Sequence, residues 1–308
     1  MTLDKPAYGV DAITFYHPSF WGVDSYDDIM DIRQSDPKRI WNHIFDALNE
    51  AGVSHLELTF PPADWQSAID AFGSAAAFKR ELDSRALALT GGFILAEDWG
   101  HGTTSAQAVA DALAYTDFLS ETGGDVLVAG PPMRRSRHAQ PPLFIDLEFL
   151  QRFADVAHAV GDQTLRRGVK LALHTEAHSS FSTRRDIDLL LSLTDPEYVF
   201  FCPDTAHIVL AGGDPVQIVA DHLERVAIAH WKDATGPMPA GIEINGESIH
   251  EAHREYMCSL GDGVVDWDAW ADLYTSSPAA SIRLLELDAV PDPIGEMRRA
   301  VSFLEPGA

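Results

Sequence analysis

Residues 170–178, Lys170-Leu-Ala-Leu-His174-Thr-Glu176-Ala-His178, form an apolar run that ends in polar residues. A short apolar run between two amphipathic segments predicts a strand that is buried on both faces of a parallel sheet. Helical patterns separate this run from similar ones, and three of the helices begin at typical N-cap residues, Asp36, Thr183 and Asp214. The eight predicted strands cover residues 8–15, 53–60, 86–95, 125–131, 169–176, 198–204, 226–233 and 280–288.

Eight strand–helix units in 308 residues average about 38 residues each, which suits an α/β fold of the (β/α)8 type. We therefore predict a single TIM barrel domain over residues 1–308. A doubly wound sheet has the same alternation, but the chain lacks the G-x-G-x-x-G turn of a dinucleotide-binding fold. Three long loops follow predicted strand ends, where a barrel builds its active site, at residues 16–35, 131–146 and 235–266.

The composition excludes several classes of protein. The chain has 47 acidic and 22 basic residues, so its net charge of −25 repels nucleic acids and anionic membranes. The two cysteines cannot form a disulfide framework, and no apolar stretch approaches the roughly 18 residues of a membrane helix. We expect a cytoplasmic protein that binds neither nucleic acid nor membranes, with a small molecule as its partner.

Polar side chains mark the ends of the four late strands. Because strand side chains alternate, residues two apart share a face, and the ends of parallel strands meet at one rim of a barrel. Buried carboxylates and imidazoles need a charge partner, and a divalent metal supplies one. Carboxylates with one imidazole suit Mn²⁺, Mg²⁺ or Co²⁺, and the absence of thiolates argues against structural zinc. The residues are His174, Glu176, His178, Asp204, His207, His230, Lys232, Glu286 and Asp288.

These endings resemble the xylose isomerase-like (β/α)8 superfamily of sugar isomerases, epimerases and inosose dehydratases. The resemblance is best over residues 168–293, and the D-T-x-H, H-x-K-D and G-D-G-x-V-D strings are typical of the inosose dehydratase-like branch. The N-terminal half agrees only in layout. The matching strings are HTEAH at 174–178, PDTAH at 203–207, AHWKD at 229–233, GDGVVDW at 261–267 and LLELD at 284–288.

The resemblance implies a metal centre with Mn²⁺ as the first choice and Mg²⁺, Co²⁺ or Zn²⁺ as alternatives. Whether His174 or Glu176 is the fifth-strand ligand stays open, and His174 could instead orient a ligand. The implied metal ligands are Glu176, Asp204, His230 and Glu286. The implied catalytic residues are His174, His178 (a base), His207 and Lys232, and the implied substrate-binding residues are Trp21, Glu57, His207 and Lys232.

Each of these residues also has a structural alternative. Asp204 could be a helix N-cap, and Lys232 could pair with Asp233 or Glu286. Glu57 could be an ion-pair partner, and Trp21 could anchor a loop. A second metal motif is not expected at residues 249–253, Ile-His-Glu-Ala-His, which resemble a zinc protease motif with one residue too few for the i, i+4 pairing.

The chemistry that such a site suits is removal of a proton α to a ketone of a sugar, keto-glycoside or cyclitol. We expect β-elimination, as in a dehydratase or lyase, with isomerisation or epimerisation as the alternative. The aromatic residues near Trp21 suit an aromatic aglycone, and some superfamily members are large subunits of C-glycoside deglycosidases with a small partner subunit. The resemblance thus implies a homo-oligomer or such a hetero-oligomer. A zinc-dependent AP endonuclease and a non-catalytic binding subunit are further alternatives.

Overall fold

The computed structural model describes residues 6–136, 138–239, 241–244 and 249–305. Eight parallel strands alternate with helices and curl into the predicted (β/α)8 barrel. The strands are β1 Ala7–Asp11, β2 His55–Leu58, β3 Ala88–Leu95, β4 Val126–Gly130, β5 Lys170–His174, β6 Val199–Cys202, β7 His230–Trp231 and β8 Ile282–Leu285. Their order in the sheet is β6-β5-β4-β3-β2-β1-β8-β7.

The barrel closes between β6 and β7 at a seam that is weaker than the other strand pairs. Within the described chain, only isolated parallel bridges cross this seam, between Phe201 and Val226 and between Asp204 and His230. The His230 amide donates to the Pro203 carbonyl at 2.9 Å. Asp204 and His230, which lie at the rim, form one of these bridges. The closure of the barrel therefore brings these two residues together, without a continuous ladder between β6 and β7.

The helices pack around the sheet and bury a continuous apolar layer against it. All three predicted N-caps are confirmed: Asp36 accepts from the Arg39 amide, Asp214 caps its helix, and Thr183 forms a capping box with Asp186. None of the helices in the described ranges is long and apolar enough to cross a membrane. The helices are α1 Pro18–Trp21, α2 Tyr26–Ser35, α3 Pro37–Ala51, α4 Trp65–Phe72, α5 Ala75–Ser84, α6 Ser105–Thr122, α7 Leu147–Leu165, α8 Arg184–Leu193, α9 Thr205–Leu210, α10 Pro215–Ala220, α11 Ile249–Arg254, α12 Trp267–Tyr274 and α13 Pro293–Leu304.

The three predicted loops differ from one another in structure. Residues 16–35 contain α1 and α2, so this segment is largely helical. Residues 235–266 contain α11 and the strand Met257–Cys258, which pairs with Asp233–Ala234. Residues 131–146 hold no helix or strand in their described part. Residues 137, 240 and 245–248 of these loops lie outside the described residues, as do 1–5 and 306–308, so the single domain over 1–308 stays a prediction.

Asp233 connects two of the strings on which the resemblance rests. Its carboxylate is fully buried and accepts hydrogen bonds from the amides of Gly261 and Gly263 at 2.9 and 3.1 Å. The indole N–H of Trp267 donates to the same oxygen at 2.9 Å. The aspartate of the H-x-K-D string therefore holds the G-D-G-x-V-D turn beneath the rim, which is a structural role.

Replacing Asp233 with Asn is expected to destabilise the fold by about 3 kcal/mol. The other oxygen of Asp233, Oδ1, accepts from the Ala234 and Val265 amides, and an Asn amide nitrogen at either position cannot accept and leaves buried donors unpaired. Urea unfolding followed by circular dichroism measures the loss. Asp262→Asn is the matched control, since Asp262 is exposed and its carboxylate pairs with no described residue other than Arg299, at 2.6 Å. Equal destabilisation by both substitutions would contradict the structural role of Asp233.

Candidate metal centre and active-site cleft

The carboxyl ends of the barrel strands open into a cleft of about 460 Å³. This volume lies in the range of sites that take small molecules. Apolar side chains, among them Phe60, Phe93 and Leu95, line part of the cleft. Titratable side chains, most of them from β5 to β8 and the loops that follow these strands, line the rest. Six residues predicted for the site line the cleft: His174, Glu176, His207, His230, Lys232 and Glu286.

Four buried side chains converge at the base of this cleft: His174, Asp204, His230 and Glu286. Each offers one nitrogen or oxygen atom, and these four atoms all lie within 4.8 Å of one another. His174 Nε2 is 3.1 Å from His230 Nδ1 and 3.7 Å from Asp204 Oδ2. Glu286 Oε2 is 2.5 Å from His230 Nδ1. We call this group the four-residue cluster.

Asp204 shows why this cluster suits a cation. Its Oδ1 caps α9 by accepting from the His207 amide at 2.8 Å, so the N-cap alternative is correct for one oxygen. Its Oδ2 is buried and has no hydrogen-bond partner among the residues described, and the same holds for His174 Nδ1. A buried carboxylate oxygen without a partner is costly unless a ligand satisfies it. The donor set of two carboxylates and two imidazoles fits a divalent metal.

Glu57 lies behind His230 and not in the cleft. Its carboxylate is fully buried, and its Oε2 is 2.7 Å from His230 Nε2. This geometry matches the ion-pair alternative: a carboxylate orients an imidazole whose other nitrogen faces the cluster. The predicted contact of Glu57 with substrate is therefore not supported by its position. Asp11, which sequence reasoning missed, does line the cleft, and burial raises its pKa, with the charges of Glu57 and Glu286 adding to the effect.

Lys232 is held between two carboxylates of the eighth-strand end. Its Nζ is 2.5 Å from Glu286 Oε1 and 2.7 Å from Asp288 Oδ1, and it makes no ion pair with Asp233 in the described structure. Burial alone would lower the pKa of the ammonium, but Asp288 and Glu286 outweigh it and raise the pKa well above its usual value. Lys232 thus presents a positive charge at the edge of the cluster.

Glu176 is not in the four-residue cluster, where His174 takes the place that the prediction gave it. The reason is local: β5 ends at His174, so side-chain alternation stops there, and the Glu176 amide donates instead to the Phe181 carbonyl. Glu176 Oε1 faces three imidazole nitrogens, His253 Nδ1 at 3.4 Å, His207 Nε2 at 3.5 Å and His250 Nδ1 at 3.6 Å.

The sequence predicts no metal motif at His250 and His253, because these two histidines do not have the i, i+4 spacing of the zinc protease motif. The structure places both on α11, where residues i and i+3 are also neighbours on one face. Together with Glu176 they form a second group whose ligand atoms all lie within 4.8 Å of one another. We call Glu176, His250 and His253 the histidine cluster. The signal that could have found it is the H-x-x-H spacing in a loop that follows a strand end.

His178 and Trp21 do not line the cleft. His178 has a left-handed backbone with φ of 64° and its Nδ1 lies 3.1 Å from His253 Nε2, so it supports the histidine cluster instead of standing beside the four-residue cluster as a base. Trp21 is only 5% exposed and its indole N–H donates to the Phe15 carbonyl at 2.6 Å, which matches the loop-anchor alternative. Phe60 and Phe93 are the aromatic residues of the cleft.

Comparison with known families identifies this architecture. The family model described as "Xylose isomerase-like TIM barrel" matches residues 45–306. The chain belongs to the xylose isomerase-like TIM barrel family. This membership confirms the fold and the superfamily that the strand endings predicted. It also agrees with the cleft at the carboxyl ends of the strands, where members of this architecture carry their sites.

Several proteins with similar sequences are named as enzymes, the inosose dehydratases. An inosose dehydratase from Bacillus licheniformis is 26% identical over 203 residues, which is 64% of this chain and 67% of that enzyme. Matches to further inosose dehydratases cover only 54–57% of their length. This similarity to dehydratases confirms the prediction of an enzyme.

Two solved structures share the fold over nearly the whole chain. A D-allulose 3-epimerase from a Methylomonas species superposes with a TM-score of 0.69 at 15% identity, covering 99% of both chains. The IolI protein with a bound zinc atom gives a TM-score of 0.67 at 12% identity, covering 97% of both chains. At these identities the likeness concerns the fold alone.

Proposed function

We propose that this protein is a divalent-cation-dependent enzyme that removes the proton α to a ketone of a sugar, keto-glycoside or cyclitol and then expels a β-substituent. The observation that carries the proposal is the buried four-residue cluster at the base of the cleft, with the Lys232 ammonium beside it. The similarity to inosose dehydratases favours elimination over isomerisation. Epimerisation remains the second candidate, because a D-allulose 3-epimerase shares the fold and the same deprotonation begins both reactions.

The four-residue cluster would hold the cation through His174 Nε2, Asp204 Oδ2, His230 Nδ1 and Glu286 Oε2. A bound divalent ion polarises a ketone and stabilises the negative charge that develops on its oxygen when the neighbouring carbon loses a proton. Mn²⁺ was preferred for a set of three carboxylates and one imidazole. With His174 in the set, two imidazoles face two carboxylates, which moves the preference towards Zn²⁺ or Co²⁺.

The chain's own residues divide the remaining work. The Lys232 ammonium lies where it can pair with the substrate oxygen that becomes negative. The backbone amide of Ala177 donates to His207 Nδ1 at 3.2 Å, so the proton of the neutral ring is on Nε2. Burial lowers the pKa of His207 to about 3, which keeps the ring neutral. His207 therefore donates a hydrogen bond from Nε2 to a substrate hydroxyl.

Glu176 is the proton acceptor in this proposal. Its carboxylate lines the cleft beside the four-residue cluster, with Oε2 3.6 Å from His174 Nδ1. Burial alone would raise the pKa of Glu176, but the imidazoles around its carboxylate hold the pKa well below its usual value. An ionised carboxylate next to the polarised ketone can take the α-proton directly. In this proposal the role of base, which the family resemblance implies for His178, belongs to Glu176 instead, because His178 does not line the cleft.

The wider scope of the proposal follows from the shape of the cleft. Phe60 and Phe93 line the cleft, and aromatic side chains suit a sugar ring or an aromatic aglycone. Cleavage of a C-glycoside would be a special case of the same elimination. In that case we propose that the protein works together with a small partner subunit. If the substrate is not a C-glycoside, we propose a homo-oligomer. The low cysteine count supports a cytoplasmic location.

Reaction in D₂O tests elimination against epimerisation. The protein, loaded with Mn²⁺, Zn²⁺ or Co²⁺ in parallel, is incubated with an inosose and with a 3-oxo-glycoside, and products are followed by mass spectrometry and ultraviolet absorbance. We expect loss of water or of the aglycone with formation of a conjugated ketone, and no reaction after removal of metal by a chelator. An intact isomeric product that carries one solvent deuterium would favour the epimerase, and turnover that persists without metal would contradict the proposal.

A further inference from the structure

We propose that the histidine cluster, Glu176, His250 and His253, is a second cation site at the rim of the cleft, separate from the four-residue cluster. Its ligand atoms are Glu176 Oε1, His250 Nδ1 and His253 Nδ1, which all lie within 4.8 Å of one another. The two imidazole nitrogens stand 3.6 and 3.4 Å from the carboxylate oxygen, too far for good hydrogen bonds. The three side chains therefore lie close together without making good hydrogen bonds to one another.

His253 gives the site a buried ligand that points into it. The residue is 2% exposed, and its Nδ1 has no hydrogen-bond partner among the residues that the structure describes. Its other nitrogen, Nε2, is 3.1 Å from His178 Nδ1. When His253 Nε2 donates to His178, the lone pair of the neutral ring is on Nδ1 and faces Glu176. A partner that fixes the tautomer of an imidazole in this way is typical of metal ligands.

Two of the three separations between ligand atoms match four-coordinate geometry. Bonds of about 2.1 Å to nitrogen and oxygen, as around zinc, place the corners of a tetrahedron about 3.4 Å apart. The separations of 3.4 Å for His253 and 3.6 Å for His250 from Glu176 are close to that value. Two imidazoles with one carboxylate favour Zn²⁺, Co²⁺ or Ni²⁺ over Mg²⁺. Three protein ligands leave one position open towards the cleft.

His207 is not a fourth ligand, although its Nε2 is 3.5 Å from Glu176 Oε1. The Ala177 amide donates to His207 Nδ1, so the ring proton is on Nε2 and no lone pair is available there. The Nε2–H of His207 lies 3.5 Å from Glu176 Oε1 and stays available to a substrate hydroxyl. The open position therefore remains for water or for an oxygen of the substrate.

The local sequence explains how the two histidines reach Glu176. Ile249 is 1% exposed and anchors the start of α11 in the core. The short ribbon between Asp233–Ala234 and Met257–Cys258 fixes the chain just beyond the helix end. Between these two anchors, His250 and His253 project from one face of α11 across the cleft to the end of β5.

A cation at this site has a consequence that rests on the proposed function. Glu176 would use Oε1 for the cation, and a carboxylate whose electrons are drawn to a cation is a weaker proton acceptor. Excess Zn²⁺ should therefore inhibit turnover, beyond the first equivalent that turnover requires. The binding site itself does not depend on the reaction, so its existence is tested separately.

Metal stoichiometry tests the second site directly. Metal-free protein is titrated with Zn²⁺ by calorimetry and with Co²⁺ by visible absorption, and the metal retained after desalting is measured by mass spectrometry. We expect two equivalents for the wild type, with the second showing the intense visible bands of four-coordinate Co²⁺. His250→Ala and His253→Gln should each bind one equivalent. His250→Ala removes an exposed side chain, so a loss of folding does not confuse the result.

His101→Ala is the matched control. His101 is also exposed and has a carboxylate close by, Asp98 Oδ1 at 3.9 Å, but the described structure places no second imidazole there. This variant should bind two equivalents. One equivalent in the wild type, two in both cluster variants, or loss of both equivalents in either of them would overturn the second site. If the proposed reaction is wrong but the site exists, the stoichiometries stay as predicted and only the inhibition disappears.

Discussion

Asp204→Asn is expected to remove the first cation and to lower kcat/KM about 1,000-fold, which corresponds to ~4 kcal/mol of transition-state stabilisation. Oδ2 of Asp204 is the buried oxygen of the four-residue cluster that has no hydrogen-bond partner among the described residues. Asn keeps the shape and remains a good N-cap for α9, so the loss should concern the ligand and not the helix. Metal analysis together with steady-state kinetics on the inosose measures both effects.

The control for this substitution is Asp214→Asn. Asp214 caps α10 in the same way that Asp204 caps α9, but it is exposed and outside the cleft. We expect full metal content and unchanged kinetics for this variant. An Asp204→Asn protein that keeps its first cation and loses less than about tenfold in kcat/KM, or ~1.4 kcal/mol, would remove Asp204 from the ligand set.

Lys232→Met is expected to destabilise the metal-free protein by about 3–5 kcal/mol. The substitution keeps most of the apolar stem but removes the ammonium that lies 2.5 Å from Glu286 and 2.7 Å from Asp288. The buried carboxylate of Glu286 and the partly exposed carboxylate of Asp288 then lose their only lysine or arginine ion-pair partner among the described residues. Urea unfolding in the presence of a chelator measures the change, since bound metal would mask part of it by pairing with Glu286.

Two further variants define the cause of this loss. Lys79→Met breaks an exposed ion pair with Asp83 at 2.8 Å and should change the stability by less than about 1 kcal/mol. Adding Asp288→Asn to Lys232→Met removes one of the two unpaired carboxylates and should recover part of the stability. If Lys232→Met costs no more than Lys79→Met, the buried charge network does not stabilise the fold as its geometry indicates.

The regular elements of this fold were predictable because the sequence marks them locally. Each of the eight apolar runs overlaps a strand of the barrel, although the end of the first predicted strand, Ala12–Phe15, is a 3-10 helix. N-caps such as Asp36 and Thr183 begin helices where the residue pattern placed them. The convergence of Asp204, His230 and Glu286 also followed from the sequence, because the ends of parallel strands must meet at one rim.

The choice between His174 and Glu176 could not be made from periodicity alone. Alternation places both on one face only while the strand lasts, and β5 ends at His174. The Glu176 amide joins the turn that follows, through the Phe181 carbonyl. The side chain therefore faces α11, an element about 75 residues further along the chain, whose position no local pattern of the strand predicts.

The second histidine group was missed for a different reason. The zinc protease motif requires two histidines four residues apart, and His250 and His253 are three residues apart. In a helix, a spacing of three also places two side chains together, and a third ligand can come from a distant strand end. Trp21 shows the opposite error, because an aromatic residue near a strand end can pack into the core as easily as it can face a substrate.

A cation bound at the four-residue cluster would also have a mechanical role at the seam between β6 and β7. Asp204 and His230 form one of the two bridges that close the barrel there, and both belong to the four-residue cluster. An ion held by ligands from both sides of this seam would stabilise the barrel where two neighbouring strands are joined by isolated bridges only, in the described structure. Any ligand that binds only the closed form favours that form by mass action. Binding of the cation at the four-residue cluster would therefore also stabilise the closed barrel. In the metal-free protein, the barrel would open first between β6 and β7.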